Sequence, residues 1–233
     1  MQSKSQAPSI TTGPITAQLM LFFFPILLGT FFQQLYNTVD TIIVGNFVGT
    51  NTALAAVGGA TGQLVNLFVG FFIGLSSGCG VIISQYYGAK DQNAVSKSVH
   101  TALAFSLLSG VVIMVLGLAL TDFSLRAMSL PEEIMPEATA YLRIFFLGMI
   151  PNLFYNMGAA VLRAIGDSKR PLYFLILSCL CNIVLDLIFV AYLRLGVSGA
   201  ALATILSQLA SAVMVLFVLL RTKSDVRLIP SQL

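Results

Sequence analysis

LMLFFFPILLGTFFQQLYNTVDTIIVGNFVG, residues 19–49, is an apolar run longer than a bilayer requires, and it carries an aspartate in its second half. A membrane-spanning helix needs about 20 mostly apolar residues, so the stretch reads as a span. Asp40 is the first acidic residue of the chain, and the nearest basic residues in sequence are Lys4 and Lys90. A carboxylate at the centre of a spanning helix costs about 2.5–3.5 kcal/mol or more, so an intramembrane acid points to function. Gln33, Tyr36 and Asn37 precede Asp40 by seven, four and three residues, which puts all four on one helical face. Such a stripe must look at protein or water, and it predicts one wall of an internal polar site.

Composition agrees. The 233 residues are 57% hydrophobic and 9% charged, with a mean hydropathy of +0.92, whereas soluble domains carry about 25% charged residues. This is an integral membrane protein. Residues 1–15 are polar and contain prolines, and no small-residue cleavage pattern follows the first apolar run, so that run stays in the membrane. Cys79, Cys179 and Cys181 all sit in apolar runs; their number and spacing suggest neither a disulfide frame nor a metal site. The net charge of +3 includes no basic tract suited to nucleic acid.

Six runs are long enough to span: 17–47, 53–86, 96–121, 138–162, 171–194 and 199–221. The expected fold is an all-α integral membrane protein, a bundle of six transmembrane helices over 17–221, with segments 1–16 and 222–233 outside the bilayer. The first two runs should tilt or bend. Pro25, Pro151 and the glycines of the second run are tolerated where neighbouring helices satisfy freed backbone groups. Gly70 and Gly74 form a small-xxx-small pair that permits close helix contact.

Loop charges orient the bundle. Lys4, Lys90, Lys97, Arg163, Lys169, Arg170, Arg221, Lys223 and Arg227 fall on one side, and Arg126 and Arg194 on the other, beside Asp122, Glu132, Glu133 and Glu137. The positive-inside rule then predicts a multi-pass protein with both termini in the cytoplasm. At 1.5 Å per residue, Asp40 and Asp186 each lie roughly 13 Å below the outer ends of their spans. Asn182 is one turn from Asp186 on the same face, Thr204 enters span six at a similar, shallower depth, and Tyr141 enters span four near that level. These residues can meet in one pocket in the outer half of the bundle. Arg143 is expected to snorkel outward, and His100, the only histidine, to be an interfacial side chain.

Enzyme chemistry is not expected. GVSG (196–199) matches a serine-protease string, but Ser198 lies at the outer boundary and His100 at the opposite one. An aspartyl protease needs a GxGD string, and Gly166–Asp167 follows Ala164 in a loop.

Five signatures, in order, carry a resemblance: Pro25 with Asp40 and Thr41, SQYYGAKD (84–91), LRAIGDSKRP (162–171), Asn182 with Asp186, and GVSGAALAT (196–204). Together they resemble the amino-terminal half of multidrug and toxic compound extrusion (MATE) transporters. The resemblance implies one six-helix lobe of a two-lobe antiporter in the cytoplasmic membrane, exporting small organic cations in exchange for protons or sodium ions, with no cofactor. It places Asp40, Asn182, Asp186 and Thr204 at the cation site, with Tyr36, Asn37 and Tyr141 as pocket neighbours. In chemical terms, the acid pair can hold a proton when closed and release it when wetted, or coordinate sodium with the Asn182 and Thr204 oxygens. The expected partner is a second six-helix lobe, either a missing carboxy-terminal half or another copy. The rival readings are a lipid-linked oligosaccharide flippase of the same superfamily and a non-transporting six-span protein.

Overall fold

The computed structural model describes residues 15–49, 51–222 and 226–229. Lys4, Lys223 and all but the last two residues of the 1–16 segment lie outside the described residues. The described chain is all helical: α1 (Ile15–Phe47), α2 (Asn51–Gly58), α3 (Ala60–Gly88), α4 (Gln92–Ala127), α5 (Met135–Leu147), α6 (Met149–Ala164), α7 (Lys169–Asp186) and α8 (Gly196–Arg221). A π-helical stretch, Leu187–Tyr192, continues α7. Among the described residues, five spans are long and apolar enough to cross a membrane, α2 with α3 forming one of them, and α5 with α6 makes a sixth.

That sixth span is broken. Its halves meet at 50°, at Gly148 and not at Pro151. A Cβ on Gly148 would lie 2.6 Å from Cγ1 of Ile205, so only a glycine lets the corner press against α8. Pro151 falls in the first turn of α6, where a missing N–H removes no helical hydrogen bond.

The connections between spans are short and turn through left-handed residues, three of them not glycine: Lys90, Ser129 and Arg194. α3 stops at Gly88, and the left-handed turn comes two residues later, at Lys90. Asp91 then caps α4 by accepting from the Ala94 N–H at 3.0 Å. Gly166, at φ +90°, closes the loop before α7, and Asp167 receives the Arg170 N–H there at 3.1 Å.

Packing divides the lobe into three layers. Toward the end bearing the α1–α2 and α4–α5 turns, Val44, Ala53, Leu142, Phe145, Phe146 and Ala201 build one apolar cluster. Toward the other end, Ile83, Val99, Leu103, Met157, Leu162 and Val215 build a second. Between them runs a polar layer. Along α8 the order is Ala200 and Ala201, then Thr204, Ser207 and Ser211, then Val215 and Leu219, all buried. Along α6, Asn152 separates Met149 from Met157 in the same way.

The first half of α1 stands out from the bundle with Leu21, Phe24 and Phe31 exposed. α1 rests chiefly on α7 while α3 rests on α6, and a groove opens between α1 and α3. Gly70 and Gly74 are exposed, with nothing within 4 Å of where a Cβ would stand; the expected close helix contact is not made within this lobe.

Two side chains make contacts that the sequence did not announce. Arg143 does reach outward, but its Nη2 pairs with Oδ2 of Asp122 on α4 at 2.8 Å, both side chains 52% exposed. His100 is buried, not interfacial. Its Nδ1 lies 2.7 Å from the Ser96 carbonyl, and its Nε2 accepts the backbone N–H of Ile229 at 2.9 Å. That pair of bonds assigns the neutral tautomer with the proton on Nδ1. The chain after α8 thus folds back, with Val226 and Leu228 buried in the second apolar cluster.

Candidate cation-binding site

Asp40 sits two turns before the end of α1, buried to 6% exposure, and faces the last turns of α7 and the first turns of α8. The Thr204 hydroxyl donates to Oδ2 of Asp40 at 3.3 Å and lies 3.0 Å from the Ala200 carbonyl, which competes for the same proton. Asp186 and Asn182 are fully buried, one helical turn apart on α7. Both act on the Asp40 carboxyl group at side-chain range. The four residues placed at similar depth by counting are therefore together.

Their hydrogen-bonding capacity is largely unused. Oδ1 of Asp40, both oxygens of Asp186, and both polar atoms of the Asn182 amide are buried and close no hydrogen bond. An unsatisfied buried polar group costs about 1–3 kcal/mol, and more when charged. Two ionised carboxylates buried in one polar layer repel each other, and a compensating positive charge would relieve that repulsion. A shared proton supplies it, and so does a small hard cation. The donor set of carboxylate, amide and hydroxyl oxygens fits an alkali cation as well as a proton.

The two tyrosines border the site. Tyr141, buried on α5, feels both acids and stacks on Phe145 with ring centres 6.4 Å apart. The Tyr36 hydroxyl is buried and turned toward Thr204 and Ser207, yet closes no hydrogen bond. Asn37 does not join them. Its side chain is exposed, and its carbonyl accepts from Thr41 Oγ1 at 2.9 Å within α1. Gln33 is exposed too, lining the groove between α1 and α3. The stripe on α1 therefore splits: Tyr36 and Asp40 turn into the bundle, while Asn37 and Gln33 turn out of it.

The polar layer also holds residues that counting from Asp40 did not pick out. Ser207 is fully buried; its hydroxyl donates to the Thr204 carbonyl at 2.8 Å, and its own carbonyl accepts from Ser178 Oγ at 2.8 Å. Asn156 Nδ2 donates to Oδ1 of Asn152 at 2.9 Å. The signal was present in the spacing. Ser178, Asn182 and Asp186 recur every four residues on α7, and Thr204, Ser207 and Ser211 share one face of α8.

A polytopic helical lobe with a paired-acid polar centre is the class of protein defined here. The MatE family model matches residues 25–188, and the chain belongs to that family. It is similar to the probable multidrug resistance proteins YoeA and YpnP of Bacillus subtilis (strain 168). YoeA is 36% identical over 227 residues, covering 94% of this chain and 48% of that protein. YpnP is 35% identical over 205 residues, covering 87% and 45%. The crystal structure of a MATE protein in the straight conformation superposes with a TM-score of 0.89 at 28% identity, over 98% of this chain and 51% of that one. The chain spans about half the length of the relatives it matches.

Proposed function

We propose that this chain is one six-helix lobe of a cation-coupled antiporter that exports organic cations or drugs across the cytoplasmic membrane. The observation carrying the reading is the juxtaposition of Asp40, Asp186, Asn182 and Thr204, with five of their buried polar atoms closing no hydrogen bond. The coupling ion, a proton or sodium, would fill the space those atoms face, and its exchange would leave the acids with or without a compensating charge. Tyr36 and Tyr141 would close the site laterally. Two acids at the centre favour a cationic over an anionic substrate, which weighs against the flippase reading. The names of the relatives support multidrug export. The basic loops would face the cytoplasm, as would both termini, and a second six-helix lobe would complete the substrate cleft.

Ethidium efflux from energised cells tests the reading, with the chain expressed alone and with a second lobe from a relative. Asp40→Asn and Asp186→Asn should each return efflux to background. Efflux unaffected by both substitutions would remove the acids from the mechanism, and a silent parent in both arms would remove transport.

A further inference from the structure

The described spans carry more polar groups than the acid pair explains, and they lie in one direction from it. A cavity of about 60 Å³ is lined by Tyr36, Cys179, Ser178, Ser211, Asn152 and Asn156, among others. Tyr36 lies one turn before Asp40 on α1, and Ser211 lies on the α8 face that carries Thr204 and Ser207, so this cavity begins beside the acid site. Gln33, Tyr155, Asn156 and Leu175 line it and also line the groove of about 640 Å³ between α1 and α3. The groove reaches Ser84, Arg163 and Ser168, at the end of the lobe that bears the basic loops. The two spaces therefore adjoin at Gln33 and Asn156. Side chains with polar atoms in a spanning bundle line water paths or pair with one another, and this cavity has hydroxyl and amide groups in its wall and is roomy enough for water.

We propose that Gln33, Asn156, Asn152 and Ser211 line a hydrated conduit through which the coupling cation passes between the acid pair and the basic-loop face. The proposal deepens the cation-coupling reading and rests on it. Amide and hydroxyl oxygens replace a cation's hydration in steps along this path. The guanidinium of Arg163 stands at the mouth with no ion pair among the described residues. It opposes a cation there, but the groove is wide enough for solvent and salt to screen it.

Cys179 is a built-in reporter, since it is buried and faces the inner end of the cavity. Silver ion, a monovalent cation, replaces the thiol proton to form an S–Ag bond and release H⁺. The full chain carrying Cys79→Ala and Cys181→Ala would be placed in vesicles of each orientation, in chloride-free buffer. Silver modification is read as lost maleimide labelling after denaturation. Entry from the basic-loop face should be about tenfold faster than from the other face or more, a barrier difference of ~1.4 kcal/mol. Gln33→Leu, at an exposed position that tolerates the change, should slow it by a similar factor, and Asn156→Leu should do the same. Equal rates from both faces, no modification, or indifference to both substitutions would overturn the conduit.

The cation reading is tested separately on the same vesicles by adding Asp40→Asn. Silver entry should persist, while stabilisation of the protein by sodium or by acid is lost. Entry without any such stabilisation in the parent would leave a water path and remove the coupling role.

Discussion

At the residue scale, the decisive feature is a set of buried polar atoms without partners. Thr204→Val deletes a hydroxyl that donates to Asp40. A hydrogen bond to a charged group is worth about 1.5–3 kcal/mol, so cation affinity should fall by roughly tenfold to a hundredfold, with Thr204→Ser near the parent. Stabilisation of the purified chain against heat, titrated with sodium or acid, reads that affinity. Asp186 and Asn182 behave in the opposite sense for stability. With no ligand added, Asp186→Asn and Asn182→Leu should unfold no earlier than the parent, because the first removes a buried negative charge and the second removes amide groups that close no hydrogen bond. A loss of more than about 2 kcal/mol would mean that those groups hold the fold. The exposed Arg143–Asp122 pair makes the contrasting case: Arg143→Gln should change stability by less than about 1 kcal/mol. Depth along the helix made Asp40, Asp186, Asn182 and Thr204 legible in the sequence, since rise per residue is fixed. The azimuth of Asn37 and Gln33 was not, because it depends on where α1 leaves the bundle.

At the scale of elements, close approach governs. Gly158 on α6 packs against Val215 of α8, where a Cβ would collide with the valine methyl. Gly158→Ala should therefore destabilise the lobe by about 1–3 kcal/mol through overpacking, seen as a lower midpoint of thermal unfolding. At Gly70, where a Cβ would meet nothing, the same substitution should be neutral or slightly stabilising. The six spans were readable from apolar run length alone, but the corner at Gly148 was not. Pro151 reads as tolerated, and its place in the first turn of α6 makes it harmless. The true break is set by Ile205 on a distant helix, which no local pattern reports.

At the scale of the whole molecule, the described residues form a six-span layered lobe, and the chain is about half the length of its relatives. Efflux should therefore depend on a second lobe, supplied by co-expression. His100 shows what whole-molecule context adds to sequence. Alone at a span boundary it reads as an interfacial residue, but the returning chain after α8 covers it and uses its Nε2. The three-layer arrangement has a genetic consequence. Polar-layer residues add little apolar burial, whereas the two apolar clusters supply most of it, so a saturating allele library should sort into two kinds of failure. Alleles at Leu103, Met157 or Phe146 should vanish from the membrane fraction, and alleles at Asp186, Asn182 or Ser207 should accumulate there at full abundance and stay inert.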